Sequence, residues 1–206
     1  MFTFPTKARR WLTASGVALI LIEGGQPGTG IVAASPPTPS VESLIITLDE
    51  MRQLLDTPGL VQGQRLTAEP PVDGYGHNVP APCRALSFLD VAFGDTWTQF
   101  TGLVFRAPHA SVVQALAAYS DADAARAAYE QLFTDLSQCA ELHAPSFEFS
   151  VRLRDHSTFA LHLGQSEQLY RIKDTVLIKV AAYDFPDSDH TARTILGTIT
   201  DRIPVS

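Results

Sequence analysis

Residues 112–139 read VVQALAAYSDADAARAAYEQLFTDLSQC. Val112–Tyr119 is apolar, β-branched at its start and aromatic at its end, the composition of a short buried strand. Ser120 and Asp123 then form an S-x-x-D helix start, in which the Ser oxygen accepts from an orphan N–H of the first turn. An Ala-rich helix follows. Ala122, Ala125, Tyr129, Leu132, Leu136 and Cys139 recur at steps of three and four, so one helix face is apolar and Cys139 ends on it. The chain holds two cysteines. The other, Cys83, sits in a Pro-rich turn, Pro80-Ala81-Pro82-Cys83. One disulfide from that turn to the helix end is the expectation; a free thiol pair is the alternative.

Downstream, the strands are clearest. Phe147, Phe149, Val151 and Leu153 alternate with Glu148, Ser150, Arg152 and Arg154. Phe159, Leu161 and Leu163 alternate with Thr158, Ala160 and His162. Period-2 patterns of this kind predict half-buried strands with one wet face. Glu167–Lys173 and Thr175–Ala182 read as two more, and a helix over about Asp187–Ile203 closes the chain. Upstream, Trp97–Arg106 reads as a strand, Leu60–Ala68 as a weaker one, and Leu48–Asp56 as a helix stopped by Pro58-Gly59. Glu69–Pro82, rich in Pro and Gly, is a surface loop. Runs of strands with helices between and after them place the chain in the α+β class. The expected architecture is one domain, 44–206, with a twisted, mainly antiparallel sheet and helices packed on one face.

The N-terminal residues carry a different signal. Lys7, Arg9 and Arg10 precede Trp11–Ile22, 12 residues without charge. That suits a signal-peptide core and falls short of the roughly 20 residues of a membrane-spanning helix. Val32-Ala33-Ala34 supplies small residues for cleavage, so 1–34 is expected to be a signal peptide, with an uncleaved anchor as the alternative. No Cys follows the apolar run, so no lipid anchor through an N-terminal cysteine is expected; nor is a membrane span in the mature chain. Residues 35–43 read as a Pro-rich linker. An oxidising, extracytoplasmic compartment (secreted or cell envelope) follows, and it favours the disulfide.

Hydrophobic content of 45% and charged content of 18% fit a globular core. The net charge is −7, and losing residues 1–34, with three basic residues and one acidic, makes it −9. Such a chain is a poor match for nucleic acid.

Several short motifs follow one another in a telling order. They are Thr47-x-x-Glu50-Met51 opening a short helix, Pro82-Cys83, Val113-Gln114-Ala115-Leu116-x-x-Tyr119, Ala124-Ala125-Arg126-Ala127-Ala128 and Cys139. The set resembles the extracytoplasmic sensor domain of mycobacterial receptor Ser/Thr kinases of the H type, and the stand-alone secreted proteins and lipoproteins built on it. The resemblance spans roughly Leu44 to Pro204. It implies a sensor-type ligand-binding domain. It also implies a second disulfide, near Ser166 and Tyr183, where this chain has no cysteine.

No catalytic constellation stands out. Gly-x-Ser-x-Gly is absent. Gly24-Gly25 and Gly28-x-Gly30 lie in the leader, not ahead of a helix. The six histidines form no H-E-x-x-H. Asp184, Asp187, Asp189 and His190 read as a helix N-terminus, where acids favour the dipole, with a metal site as the alternative. No metal, cofactor or catalytic residue is expected. Trp97 reads as packing, with ligand stacking as the alternative.

Arg152, Arg154, Arg171, Lys173 and Lys179 crowd into one region of an acidic chain. If the Phe/Leu faces pack inward, Arg152 and His162 share the opposite face, away from the helices. With Arg171 and Lys179 they make a candidate surface for an anionic envelope ligand, against the alternative of an ordinary solvated face. The expected function is ligand sensing without catalysis. The rivals are a cell-envelope hydrolase and a structural or interaction protein that binds another envelope protein.

Overall fold

The computed structural model describes residues 40–69, 78–144 and 146–204. The expected signal peptide (1–34), residues 35–39 of the linker and residues 70–77 of the Pro/Gly-rich loop lie outside the described residues.

Two short helices, α1 (Val41–Leu44) and α2 (Leu48–Leu54), come first. Thr47 and Glu50 form a reciprocal capping box at the start of α2. Val41 and Leu44 are buried, so apolar packing already begins inside the stretch expected to be linker. Strand β1 (Val61–Arg65) follows, then a single 3-10 turn over Ala81–Cys83 and the short helices α3 (Arg84–Ser87) and α4 (Leu89–Phe93). Strands β2 (Trp97–Arg106) and β3 (Ser111–Tyr119) lead into α5 (Ala122–Glu141). Four strands, β4 (Ser150–Asp155), β5 (Thr158–Leu163), β6 (Ser166–Lys173) and β7 (Val176–Tyr183), precede α6 (Ser188–Asp201).

The N-cap of α5 is Asp121, whose carboxylate accepts from Ala124 N; the expected Ser120 cap is one residue early. Ser120 instead donates its hydroxyl to Asp121, and an ionised Asp is the stronger acceptor for an N-terminal N–H. Strand β4 also starts later than its alternation suggested, leaving Phe147 and Phe149 ahead of it.

All seven strands form one antiparallel sheet in the order β1-β2-β3-β7-β6-β5-β4. Two meanders, β1–β3 and β4–β7, therefore meet where β3 pairs with β7. These central strands, SVVQALAAY and VLIKVAAY, are almost wholly apolar, as befits strands buried on both faces.

That burial corrects one expectation: helices cover both faces of the sheet. On one side α1, α2 and α6 pack on Val112, Leu116, Leu169, Ile178 and Val180. On the other, α3, α4 and α5 pack on Ala115, Ala117, Phe159, Tyr170 and Leu177. Gln114, fully buried, ties the first layer down. Its Oε1 accepts from Ile46 N at 3.1 Å and its Nε2 donates to Ile46 O at 2.6 Å. Both backbone groups would otherwise be orphaned in the core. In the second layer Cys83 and Cys139 form a disulfide, Cα–Cα 4.8 Å, both residues buried.

Candidate functional site

Strand parity decides where each basic side chain emerges. The register pairs Arg152 with Ala160, Ala160 with Leu169 and Leu169 with Val180; these belong to the α6 side. Arg171, opposite Thr158 and Ile178, shares that side, as does His162, opposite Ser150 and Glu167, the latter in turn opposite Ala182. Lys179 pairs with Tyr170 and Ala115, which belong to the α5 side. The structure thus brings Arg152, His162 and Arg171 to one side and Lys179 to the other. Lys179 is buried, with Nζ 5.4 Å above the Tyr170 ring. The shared side is also not free of helices, because α6 crosses β6 and β7. Trp97 is distant again. It packs on Phe100 and borders a separate cleft with Ala68, Asp90 and Asp95.

Where α6 stops short of β4, a cleft of about 270 Å³ opens. Leu169 and Leu196 supply apolar lining; Arg154, Arg171 and Arg193 supply three positive charges and Asp155 one negative. Gly197 keeps the α6 wall low: a Cβ there would meet nothing within 4 Å.

Each arginine is held by an acid. Arg154 Nη2 donates to Glu167 Oε1 at 3.1 Å and to Asp189 Oδ1 at 2.9 Å. Arg193 Nη2 lies 2.8 Å from Asp189 Oδ2. Arg171 donates through Nε to Thr158 Oγ1 at 2.7 Å and through Nη2 to Asp155 Oδ2 at 3.3 Å. Burial pushes the Asp155 carboxyl up, but the Ser157 hydroxyl and N–H, with Thr158 and Arg171, outweigh it and hold the group below its ordinary value. These bonds use Nε and Nη2. Among the described residues, Nη1 of all three guanidinium groups makes no hydrogen bond, which leaves donors for a ligand.

Arg152 lies two residues from Arg154 on the same strand face and is exposed. His162 joins the network indirectly, its Nδ1 3.1 Å from Glu167 Oε2. It borders a larger neighbouring cleft, about 530 Å³, with Glu167, Asp184, Asp187 and Asp189. Four carboxylates make that larger cleft the wrong one for an anion, so the smaller, arginine-lined cleft is the candidate. Lys173 is committed elsewhere, donating to Thr200 O at 2.7 Å near the end of α6.

Sequence reasoning missed Arg154 and Arg193 as site residues. Arg154 shows parity with Arg152, a usable signal. Arg193 sits four residues after Asp189, a helical ion-pair spacing, but nothing local says which strand the pair meets.

A family model described as the PknH-like extracellular domain matches residues 36–202. Among solved structures, the extracellular domain of PknH from Mycobacterium tuberculosis is similar to this chain with a TM-score of 0.60 at 18% identity. The match covers 79% of this chain and 93% of that one. At this identity the likeness is one of fold. A GTP-binding regulator from Thermotoga maritima aligns over 77% of this chain and 90% of its own at 11% identity, with a TM-score of 0.35, and carries no argument. No curated protein matches the chain.

Proposed function

This chain belongs to the PknH-like extracellular domain family, and from that premise we propose that it is an extracytoplasmic sensor-type domain that binds an anionic envelope molecule and performs no chemistry on it. The observation that carries the ligand class is the convergence of Arg154, Arg171 and Arg193, from β4, β6 and α6, on one cleft. Guanidinium forks suit bidentate contact to phosphate or carboxylate. The cleft is smaller than the several hundred Å³ of a site that engulfs a whole ligand. It fits a charged head, with the rest of the molecule lying outward past Arg152. Among the described residues no helix is long and apolar enough to cross a membrane.

Titration calorimetry with anionic glycan and glycolipid fragments, at low and moderate salt, tests the reading. An Arg171→Gln/Arg193→Gln pair is expected to lose binding at least tenfold. A Gly197→Leu variant fills the cleft without changing charge and replaces a helix-interior glycine with a better helix former. It is expected to lose binding while melting no lower than the parent. Binding equal to the parent's in both variants removes the reading.

A further inference from the structure

Asp189, which lines the neighbouring larger cleft, is an oxyanion already seated on two of the arginines that line the smaller one. One of its oxygens takes Arg154 and the other takes Arg193, at 2.9 and 2.8 Å. The two guanidinium groups belong to β4 and α6, so a single carboxylate ties the edge of the sheet to the helix. Glu167 also engages Arg154, and Asp155 engages Arg171. Three arginines thus face three acids, and the resting cluster carries no net charge.

That balance selects among anions. A singly charged ligand that displaced Asp189 would exchange one monoanion for another and gain no charge–charge energy. A doubly charged ligand adds one unit of charge against the same guanidinium groups, and a tetrahedral head offers more acceptors than a carboxylate. The unused Nη1 donors can meet them. About 270 Å³ accommodates such a head.

We propose that the cleft takes a phosphate monoester dianion, and that Asp189 is the internal anion it displaces from Arg154 and Arg193, untying β4 from α6. The inference rests on the anion-cleft reading and narrows it to one ligand chemistry.

Calorimetry on the full chain at pH 8 and fixed ionic strength compares glycerol 1-phosphate, a dianion, with dimethyl phosphate and acetate, both monoanions. The parent is expected to bind the dianion at least tenfold more tightly than either monoanion. Asp189→Asn removes a unit charge a few ångströms from the site and is expected to tighten dianion binding about tenfold, and to bring the monoanions into measurable range. Asp189→Ser guards against an Asn amide oxygen taking the same place. Sedimentation with phosphatidylcholine vesicles containing phosphatidic acid, which carries the same monoester on a lipid, separates the sources. Capture by vesicles assigns a lipid headgroup; binding of the soluble ester alone assigns a free one, and either outcome upholds the proposal. Equal parent affinity for dimethyl phosphate and glycerol 1-phosphate overturns it, as does unchanged or weaker dianion binding by both Asp189 variants. If no anion binds the parent or any variant, the anion-cleft reading itself falls.

Discussion

Lys179 projects its amine into the α5 side of the sheet, where the described residues offer it no carboxylate and no hydrogen bond. Its polar contact there is the face of the Tyr170 ring, 5.4 Å from Nζ. Burial pushes its pKa from 10.5 down to about 8. The charged form is thus disfavoured in the folded chain. Between pH 8 and 10.5 the unfolded chain holds more protons than the native one, so this residue makes stability rise with pH across that window. Below about 8 both states are protonated and the full penalty stands, roughly 3 kcal/mol at most by the pKa difference, less whatever the cation–π contact returns. Lys179→Met is therefore expected to be more stable than the parent at pH 7, with the advantage shrinking from pH 8 toward 10. Urea midpoints measured along that range check it; a variant less stable at pH 7 would contradict the buried-charge account. Readings should stop near pH 10. Above it the tyrosines act in the opposite sense, since burial pushes Tyr129 up to about 12 and also raises Tyr119, Tyr170 and Tyr183.

At the scale of elements, α5 is held at both ends. Asp121 caps its start; Tyr129, Leu132 and Leu136 bury its middle, each such apolar side chain contributing on the order of 2 kcal/mol. Cys139 bonds its last turn to the 3-10 turn ending at Cys83. The bridge closes a separation of 56 residues, which on chain-entropy grounds stabilises by about 4 kcal/mol. Cys83→Ser is expected to lower the melting temperature well below that of the oxidised parent and close to that of the reduced parent, because both then lack the same cross-link. Calorimetric melts with and without reductant provide the comparison, and an unchanged melting temperature in Cys83→Ser would refute the role. Strand β4 is the opposite case. Among the described residues it is an exposed edge that pairs only with β5. Arg152, Arg154 and a register shift after Leu153 guard it against stray strand pairing.

For the whole molecule, charge and compartment pull in different directions. A chain of net charge −7 repels anions at long range, but salt screens that repulsion beyond about 10 Å, so a local cleft of arginines can still act. Export is the other whole-molecule expectation. Intact-mass analysis of protein recovered from the host envelope or medium is expected to show a mature N-terminus near Ser35 and no added lipid. Retention of residues 1–34 would establish an anchor in place of a cleaved leader.

Much of this organisation is local in origin and could be read from the chain. Strand β2 has the expected bounds, Trp97–Arg106, and β5, β6, β7, α5 and α6 fall within a residue or two of their periodic patterns, because a period of 2 or 3.6 is a property of neighbouring residues. The cysteine pairing was legible because two cysteines allow one intrachain bridge. The number of helix layers was not. β3 and β7 are apolar on both faces, and a continuous apolar strand does not announce what covers each side. Nor was the site. Lys179 and Arg171 face opposite ways because the register sets Lys179 against Tyr170 and Arg171 against Ile178, and a one-residue offset reverses every side chain on a strand. Arg193 reaches Arg154's carboxylate partner only because α6 lies back across β6 and β7. The sequence by itself determined the strands, the helices α2, α5 and α6 with their apolar faces, and the disulfide; α1, α3 and α4, of only four or five residues each, are too short to show a helical period. Tertiary packing alone decided which charges meet, since contacts between distant segments depend on strand order and helix placement that no local pattern encodes.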